Sequence, residues 1–237
     1  MHSRSISLVA LALLATGCES IESTDVLTDA IYADFVASSD GSTTHTTATL
    51  RTGGATSNTF VNLEGDDVLS VTADGLTQEM TEGYLGDIYV YDADFDLSAA
   101  DTEFVFSLER TIDAGAPDSR CTLPEPFDLT LPEDGETYSR ELDDLTVTWT
   151  PAGEQDLVRV TVSGDCMWDE VVDVEGDPGT VVIPAGTLLS LDEDNPAACD
   201  ATVTVQRRRP GTLDAGFGEG GAIYGVQART RSIRVDP

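Results

Sequence analysis

Apolar and polar residues alternate along most of this chain in short runs. Ile31, Ala33 and Phe35 share one parity. Further along, Phe104, Phe106 and Leu108 fall on one side while Val105 and Ser107 fall on the other. A period of two places successive side chains on opposite faces, so each run predicts a half-buried strand. In the first half the runs are 31–37, 46–51, 59–63, 68–72, 88–91 and 103–110. Asp40-Gly41, Gly53-Gly54 and Asp74-Gly75 sit between them as turn signals. No stretch carries a sustained helical period with caps. The pattern predicts an all-β fold.

A junction interrupts the series at 111–126, which holds three prolines. Strands resume at 127–131, 145–149, 157–163, 171–174, 181–183, 201–207, 223–229 and 232–235. Seven or eight strands in about 115 residues is the number an immunoglobulin-like sandwich needs. The chain therefore divides into a segment 18–28 that is polar and tether-like, a β-sandwich module at 29–118, and a second at 119–237.

Within the second module, 145–151 (LTVTWTP) and 157–162 (LVRVTV) resemble strands B and C of a fibronectin type III domain, with Trp149 as the core tryptophan. The likeness covers some 20 residues and implies a fold, not an activity. It also bears on the cysteines. Cys166 follows the strand-C segment and Cys199 precedes the strand-F segment, and in a type III sandwich these two strands are antiparallel neighbours. The resemblance thus implies a Cys166–Cys199 disulfide. Cys121 is left over, as a buried free thiol or an intermolecular partner.

The first residues read as an address. Arg4 precedes an uncharged apolar run at 6–16. Eleven residues cannot span a bilayer but suit the core of an export signal. The run ends in Leu14-Ala15-Thr16-Gly17-Cys18, which resembles a bacterial lipobox. That resemblance implies a signal peptide at 1–17 and diacylated Cys18 as the mature N-terminus. By resemblance to enterobacterial lipoproteins, Glu19 after the cysteine implies sorting to the outer membrane. The sequence thus predicts an exported, lipid-anchored protein whose membrane contact is its N-terminal lipid.

Composition narrows the chemistry. There are 44 acidic and 12 basic residues, a net charge of −32, and every basic residue is arginine. Absent lysine excludes Schiff-base catalysis and a complete Walker A loop. The net charge excludes nucleic acid as a partner, because phosphate binding needs clustered cations. Six arginines (Arg207, Arg208, Arg209, Arg229, Arg231 and Arg234) fall in the last 31 residues. They read either as internal partners of acidic neighbours or as a docking edge for an anionic polymer.

Asp92, Asp94, Asp96 and Glu103 occupy positions 1, 3, 5 and 12 of a calcium-loop spacing, which makes Ca²⁺ the one candidate cofactor. Leu97 stands where that loop demands glycine, and both flanks read as strands, so a solvated acidic turn is the alternative. Segment 207–221 reads as a long glycine-rich loop with Phe217 at its tip, either a binding contact or folded back on the sheet. His45 has no placed catalytic partner, and 44 carboxylates single out no acid–base pair. The sequence predicts a lipid-anchored cell-envelope protein with a structural or interaction role, not an enzyme. Its partner would be an envelope protein or a glycan. A calcium- or glycan-binding adhesion module and a carboxylate-dependent hydrolase are the alternatives.

Overall fold

Strand formation follows the alternation. A computed structural model describes residues 19–237 except 55, 86, 87 and 154. The first strands are β1 (Glu19–Glu22), β2 (Ile31–Ser39), β3 (Thr44–Thr52), β4 (Thr59–Asn62), β5 (Val68–Ala73) and β6 (Leu76–Glu79). Next come β7 (Thr81–Leu85), β8 (Ile88–Phe95), β9 (Glu103–Glu109), β10 (Ala116–Thr122), β11 (Asp128–Leu131) and β12 (Glu136–Ser139). The last are β13 (Leu145–Thr150), β14 (Leu157–Gly164), β15 (Glu170–Val174), β16 (Thr180–Ile183), β17 (Cys199–Pro210) and β18 (Ala222–Asp236). Every second residue of β2 is buried from Ile31 to Ser39, the signature of a strand with one face on a core.

The fold is all-β, with two sandwich cores. One large sheet runs β1-β4-β3-β2-β18-β17-β14-β15, and β8 adds to β3 while β12 adds to β18. A four-stranded sheet, β10-β9-β5-β6, covers one part of it, and a three-stranded sheet, β11-β13-β16, covers another. In the first core Phe35 of β2 stacks on Phe106 of β9 with ring centroids 4.7 Å apart, beside Leu50, Leu69 and Leu108. In the second, Val160, Val203 and Val205 meet Leu145, Val147 and Trp149. Burying an aliphatic or aromatic side chain of this kind stabilises by roughly 1.5–3 kcal/mol each.

The two cores share strand β18. Its first part, Ala222–Gln227, pairs parallel to β2, and Ile223 points into the first core. Its last part, Ile233–Asp236, pairs parallel to β12, and Ile233 and Val235 lie in the second core. Along its length it pairs antiparallel to β17, from Pro210↔Tyr224 to Cys199↔Val235. Gly225 lets the backbone of β10 cross here, since a Cβ at this position would overlap the Thr122 carbonyl oxygen.

This sharing shifts the expected module limits. The division between 118 and 119 falls inside β10, whose Cys121 packs in the first core together with Leu123. Residues far along the chain, Phe217 and Ile223, complete that same core. Sequence order cannot display this, because a strand that returns after 180 residues carries the same local pattern as one that returns after ten.

The expected tether at 18–28 is, from Glu19 onward, built into the fold; Cys18 itself lies outside the described residues. β1 pairs parallel to β4, from Glu19↔Thr59 to Glu22↔Asn62. Behind it Arg110, whose side chain is wholly buried, gathers the segment. Its guanidinium donates to the carbonyl oxygens of Ser23 and, at 2.9 Å, Val26, and to Thr28 Oγ1 at 2.8 Å. Its Nε lies 3.1 Å from Asp67 Oδ2. A guanidinium has five donors, so one arginine can close several orphaned carbonyls that no strand ladder reaches. Although burial pushes the Asp67 carboxyl up, hydrogen bonds from Ser23, Thr111 and Arg110 overcome it and hold the group below its ordinary value of 3.8.

Replacing Arg110 by alanine leaves the Asp67 charge buried without its partner. The expected cost is about 3–5 kcal/mol, measured by denaturant unfolding. Hydrogen exchange of the amides at 19–30 is expected to accelerate most. A carboxyl with a depressed native pKa stabilises the fold above its unfolded value and ceases to do so as pH falls through the native one. Wild type is therefore expected to lose this increment below pH 3.8, and the variant to show a flatter acid profile.

Candidate functional site

Cations are scarce in this chain, so where the late arginines go decides what its surface can do. β17 carries three in a row. Arg207 is buried, with its Nε 2.6 Å from Asp177 Oδ2. That contact is an ion pair by proximity, its angle lying outside the hydrogen-bonding range. Its other nitrogens donate to the carbonyl oxygens of Glu125 at 2.8 Å and Pro151 at 2.6 Å. Trp149 Nε1 donates to the second oxygen of Asp177 at 2.6 Å. The guanidinium also lies 5.0 Å from the Phe127 ring centre. The ion pair and these hydrogen bonds to the remaining nitrogens and to the second Asp177 oxygen are what keep a buried charge tolerable there.

Arg209 joins the two sandwiches. It grips Asp156, ahead of β14, through Nε at 2.9 Å and Nη2 at 3.2 Å. Its Nη1 reaches Asp101, in the β8–β9 loop, at 2.7 Å and the Leu123 carbonyl oxygen at 3.1 Å. The hydrogen bonding it donates to Asp156 is the main cause that raises its pKa further above the ordinary arginine value. These groups, with Pro151 and Glu125, line a cleft of ≈ 720 Å³ between the sandwiches. Both arginines of its wall are already bound to carboxylates of the same chain, so the cleft is a braced junction.

The remaining late arginines are engaged as well. Arg208 lies 4.2 Å over the Tyr224 ring and Arg229 lies 5.3 Å from the centre of Phe127. Burial, the largest cause in each case, lowers the pKa of both. Arg231 donates to the Leu129 carbonyl oxygen at 2.8 Å, and Arg234 sits 3.5 Å from Asp200 and 3.3 Å from Asp236. Arg207, Arg209 and Arg234 thus pair with acidic neighbours, as one expectation had it, while Arg208, Arg229 and Arg231 are held by aromatic rings and carbonyl oxygens.

The expected calcium ligands are not brought together. Asp92 and Asp94 lie on β8, whose Tyr91, Ala93 and Phe95 face the core, so both carboxylates stand on the outer face of a ladder. Glu103 begins β9 in the other sheet and pairs with Arg120 at 3.0 Å. No group of three His, Cys, Asp or Glu side chains suited to a metal ion occurs among the described residues. The strand period overrode the calcium-loop spacing. Of the two readings of Phe217, folding back is the one found and the binding contact is corrected: it is 7% exposed and meets Phe35 edge-on at 5.6 Å, so it serves the core.

Asp94 does have a partner that sequence reasoning missed. Register places it opposite His45, and His45 Nδ1 lies 2.7 Å from Asp94 Oδ1. The two are 49 residues apart, so only the β3–β8 register reveals them. Both side chains are largely exposed, and such a pair is worth at most about 1 kcal/mol.

Cys166 and Cys199 form a disulfide, with Cα atoms 5.8 Å apart. β14 and β17 run antiparallel and end at Gly164↔Ala201, which brings the two cysteines together just past the ladder. Cys121 is free and buried. Burial pushes its thiol up to about 12.

No protein-family profile and no curated protein matches the chain. Among solved structures it is similar to the chicken CNTN1 FN1–FN3 domains, at 15% identity and a TM-score of 0.24, over 84% of this chain and 63% of that one. This chain therefore spans less than two thirds of that fragment. A two-domain fibronectin type III segment of chicken tenascin is 17% identical with a TM-score of 0.21, over 83% of this chain and 98% of that one. The SGBP-B protein of the Bacteroides ovatus mixed-linkage glucan utilization locus, in complex with a mixed-linkage heptasaccharide, is 12% identical with a TM-score of 0.21, over 98% and 69%. Likeness of this degree carries no ligand, partner or activity across to this chain.

Peptide mapping without reductant is expected to recover Cys166 linked to Cys199 and Cys121 as a thiol. In the native protein at pH 8, iodoacetamide should leave Cys121 unmodified, since the thiolate is the nucleophile and this thiol is both covered and protonated. Unfolding in guanidinium should expose it to full alkylation.

Proposed function

We propose that this chain is a lipid-anchored protein of the bacterial cell envelope, exported and held by acylated Cys18 in the outer membrane, with a structural or interaction role. The lipobox-like Leu14-Ala15-Thr16-Gly17-Cys18 supports the anchor, and the structural or interaction role is supported by a single sheet that runs through both sandwiches, with the N-terminal strand and the disulfide at its opposite ends. The register fixes this. Glu19 lies beside Thr59, Thr59 beside Thr52, and Thr52 beside Ile31, all at the starting end of β2. β18 runs parallel to β2 and leaves past Ser39 towards the second sandwich. Its Val235 then pairs with Cys199. At about 3.3 Å per residue, the two ends are roughly 50 Å apart.

A lipid on Cys18 would sit immediately before β1, with no slack between the acyl chains and the first sandwich. The second sandwich would then stand off from the bilayer, held by ladder hydrogen bonds and the Arg209 bridge instead of a flexible linker. Like charge keeps the acidic body away from anionic headgroups while the lipid retains it. No helix of the described residues is long and apolar enough to cross a membrane.

Cells fed labelled palmitate are expected to incorporate it into the wild-type chain and not into a Cys18→Ala variant. Mass spectrometry of the N-terminus should show diacylglyceryl-cysteine at 18. A wild-type chain whose mature terminus lies elsewhere, or that washes free of membranes in salt, overturns the anchor.

A further inference from the structure

The end of the sheet farthest from Glu19 carries an unusual surface. After β14, residues 166–168 run back against 189–191. Met167 bridges Ser190 in antiparallel fashion, the Trp168 N–H donates to the Leu189 carbonyl at 3.0 Å, and the Leu191 N–H donates to the Cys166 carbonyl at 3.0 Å. Alternation then sorts the side chains. Met167 turns into the second core, while Trp168 and Leu189, opposite one another beside this single bridge, are left outside it, and Leu191 follows next to them. Trp168 is 62% exposed, Leu189 55% and Leu191 49%. Apolar side chains gathered this way on an otherwise acidic surface mark an interaction site.

The surface is also braced. The Cys166–Cys199 disulfide ties the ladder to β17. Arg140, buried beneath it, donates to the Ala197 carbonyl at 2.7 Å and lies 3.4 Å from Cys166 Sγ. An apolar face held in one conformation loses little entropy on binding.

Its rim is uniformly acidic. Asp165 and Asp169 flank one side, and Asp192, Glu193 and Asp194 the other, all exposed and none in an ion pair among the described residues. Glu141 and Glu193 line a cavity of ≈ 270 Å³ beside Leu189. Arg140 lines the same cavity, its guanidinium engaged by the Ala197 carbonyl oxygen. This rim repels anionic lipid headgroups and selects cationic flanks.

We propose that this ladder is a docking surface for a protein segment with an apolar centre flanked by arginine or lysine, Trp168 and Leu189 being its anchors. Such a surface deepens the interaction role proposed above. It is tested with the purified chain in solution, so its failure and a failure of Cys18 acylation are separate results.

The probe is a fluorescein-labelled peptide alternating leucine and arginine, read by anisotropy, with a leucine–glutamate peptide as its counterpart. Wild type is expected to bind the first and not the second. Trp168→Ala and Leu189→Ser leave the net charge unchanged and each should weaken binding at least tenfold. Both positions are exposed, so the thermal midpoint should hold, and Leu189→Ser keeps the test decisive should Trp168→Ala fold poorly. Equal binding by wild type and both variants would assign the attraction to the acidic body as a whole and overturn the proposal. Equal binding of the two peptides would do so too. So would a wild-type dimer in sedimentation that Leu189→Ser dissociates, since a second copy would then cover the face.

Discussion

The backbone ladder of β18 is the constraint on which the rest of this structure depends. A strand of 15 residues has two rows of donors and acceptors to satisfy, and no single sandwich here is long enough to do it. β2 takes one edge at the start, β12 takes it at the end, and β17 takes the other edge throughout. Each sandwich core depends on residues of β18, Ile223 for one and Ile233 with Val235 for the other. The two modules are therefore not beads on a linker. Rotating one against the other would break the ladder and open both cores.

Electrostatics reinforces the same join. A chain with 44 carboxylates and 12 arginines could have displayed its cations. It places Arg207 against Asp177 and the linker carbonyl of Glu125, and uses Arg209 to tie Asp101 of one sandwich to Asp156 of the other. The guanidinium suits this work, being always charged and able to satisfy several acceptors from one position. What remains for solvent is a surface dominated by uncompensated carboxylates. Against that background three exposed apolar side chains in one ladder stand out more than they would on a mixed surface.

Much of the fold was legible because strand alternation is a local property. The runs at 31–37, 145–149 and 157–163 each lie within the strands found, the run at 103–110 overruns β9 by one residue, and β14 and β17 neighbour one another as the fibronectin type III likeness implies, with Cys166 and Cys199 bridged at their ends. The site was far less legible. Asp92, Asp94 and Asp96 imitate a calcium loop only while they are read as a linear string. Once β8 extends to Phe95, Asp92 and Asp94 fall on the outer face of a strand and Asp96 just past its end. Phe217 looked like a loop tip because its burial depends on Phe35, 182 positions earlier. The Trp168–Leu189 pair was hidden in the same way, each residue unremarkable until register set them opposite one another.

The sequence by itself determined what nearest neighbours along the chain decide: an all-β chain of period-two runs and glycine turns, a strongly acidic charge, and arginine as the sole basic residue. These follow from side-chain direction and composition, which need no knowledge of distant contacts. Only the tertiary structure decided the partnerships. It joined two sandwiches through one strand, drew Ser23, Val26 and Thr28 onto Arg110, turned much of a basic stretch into internal braces and left apolar side chains uncovered at one end. Such choices come from hydrogen-bond register and from the burial of charge, and both are settled between residues that the linear order holds far apart.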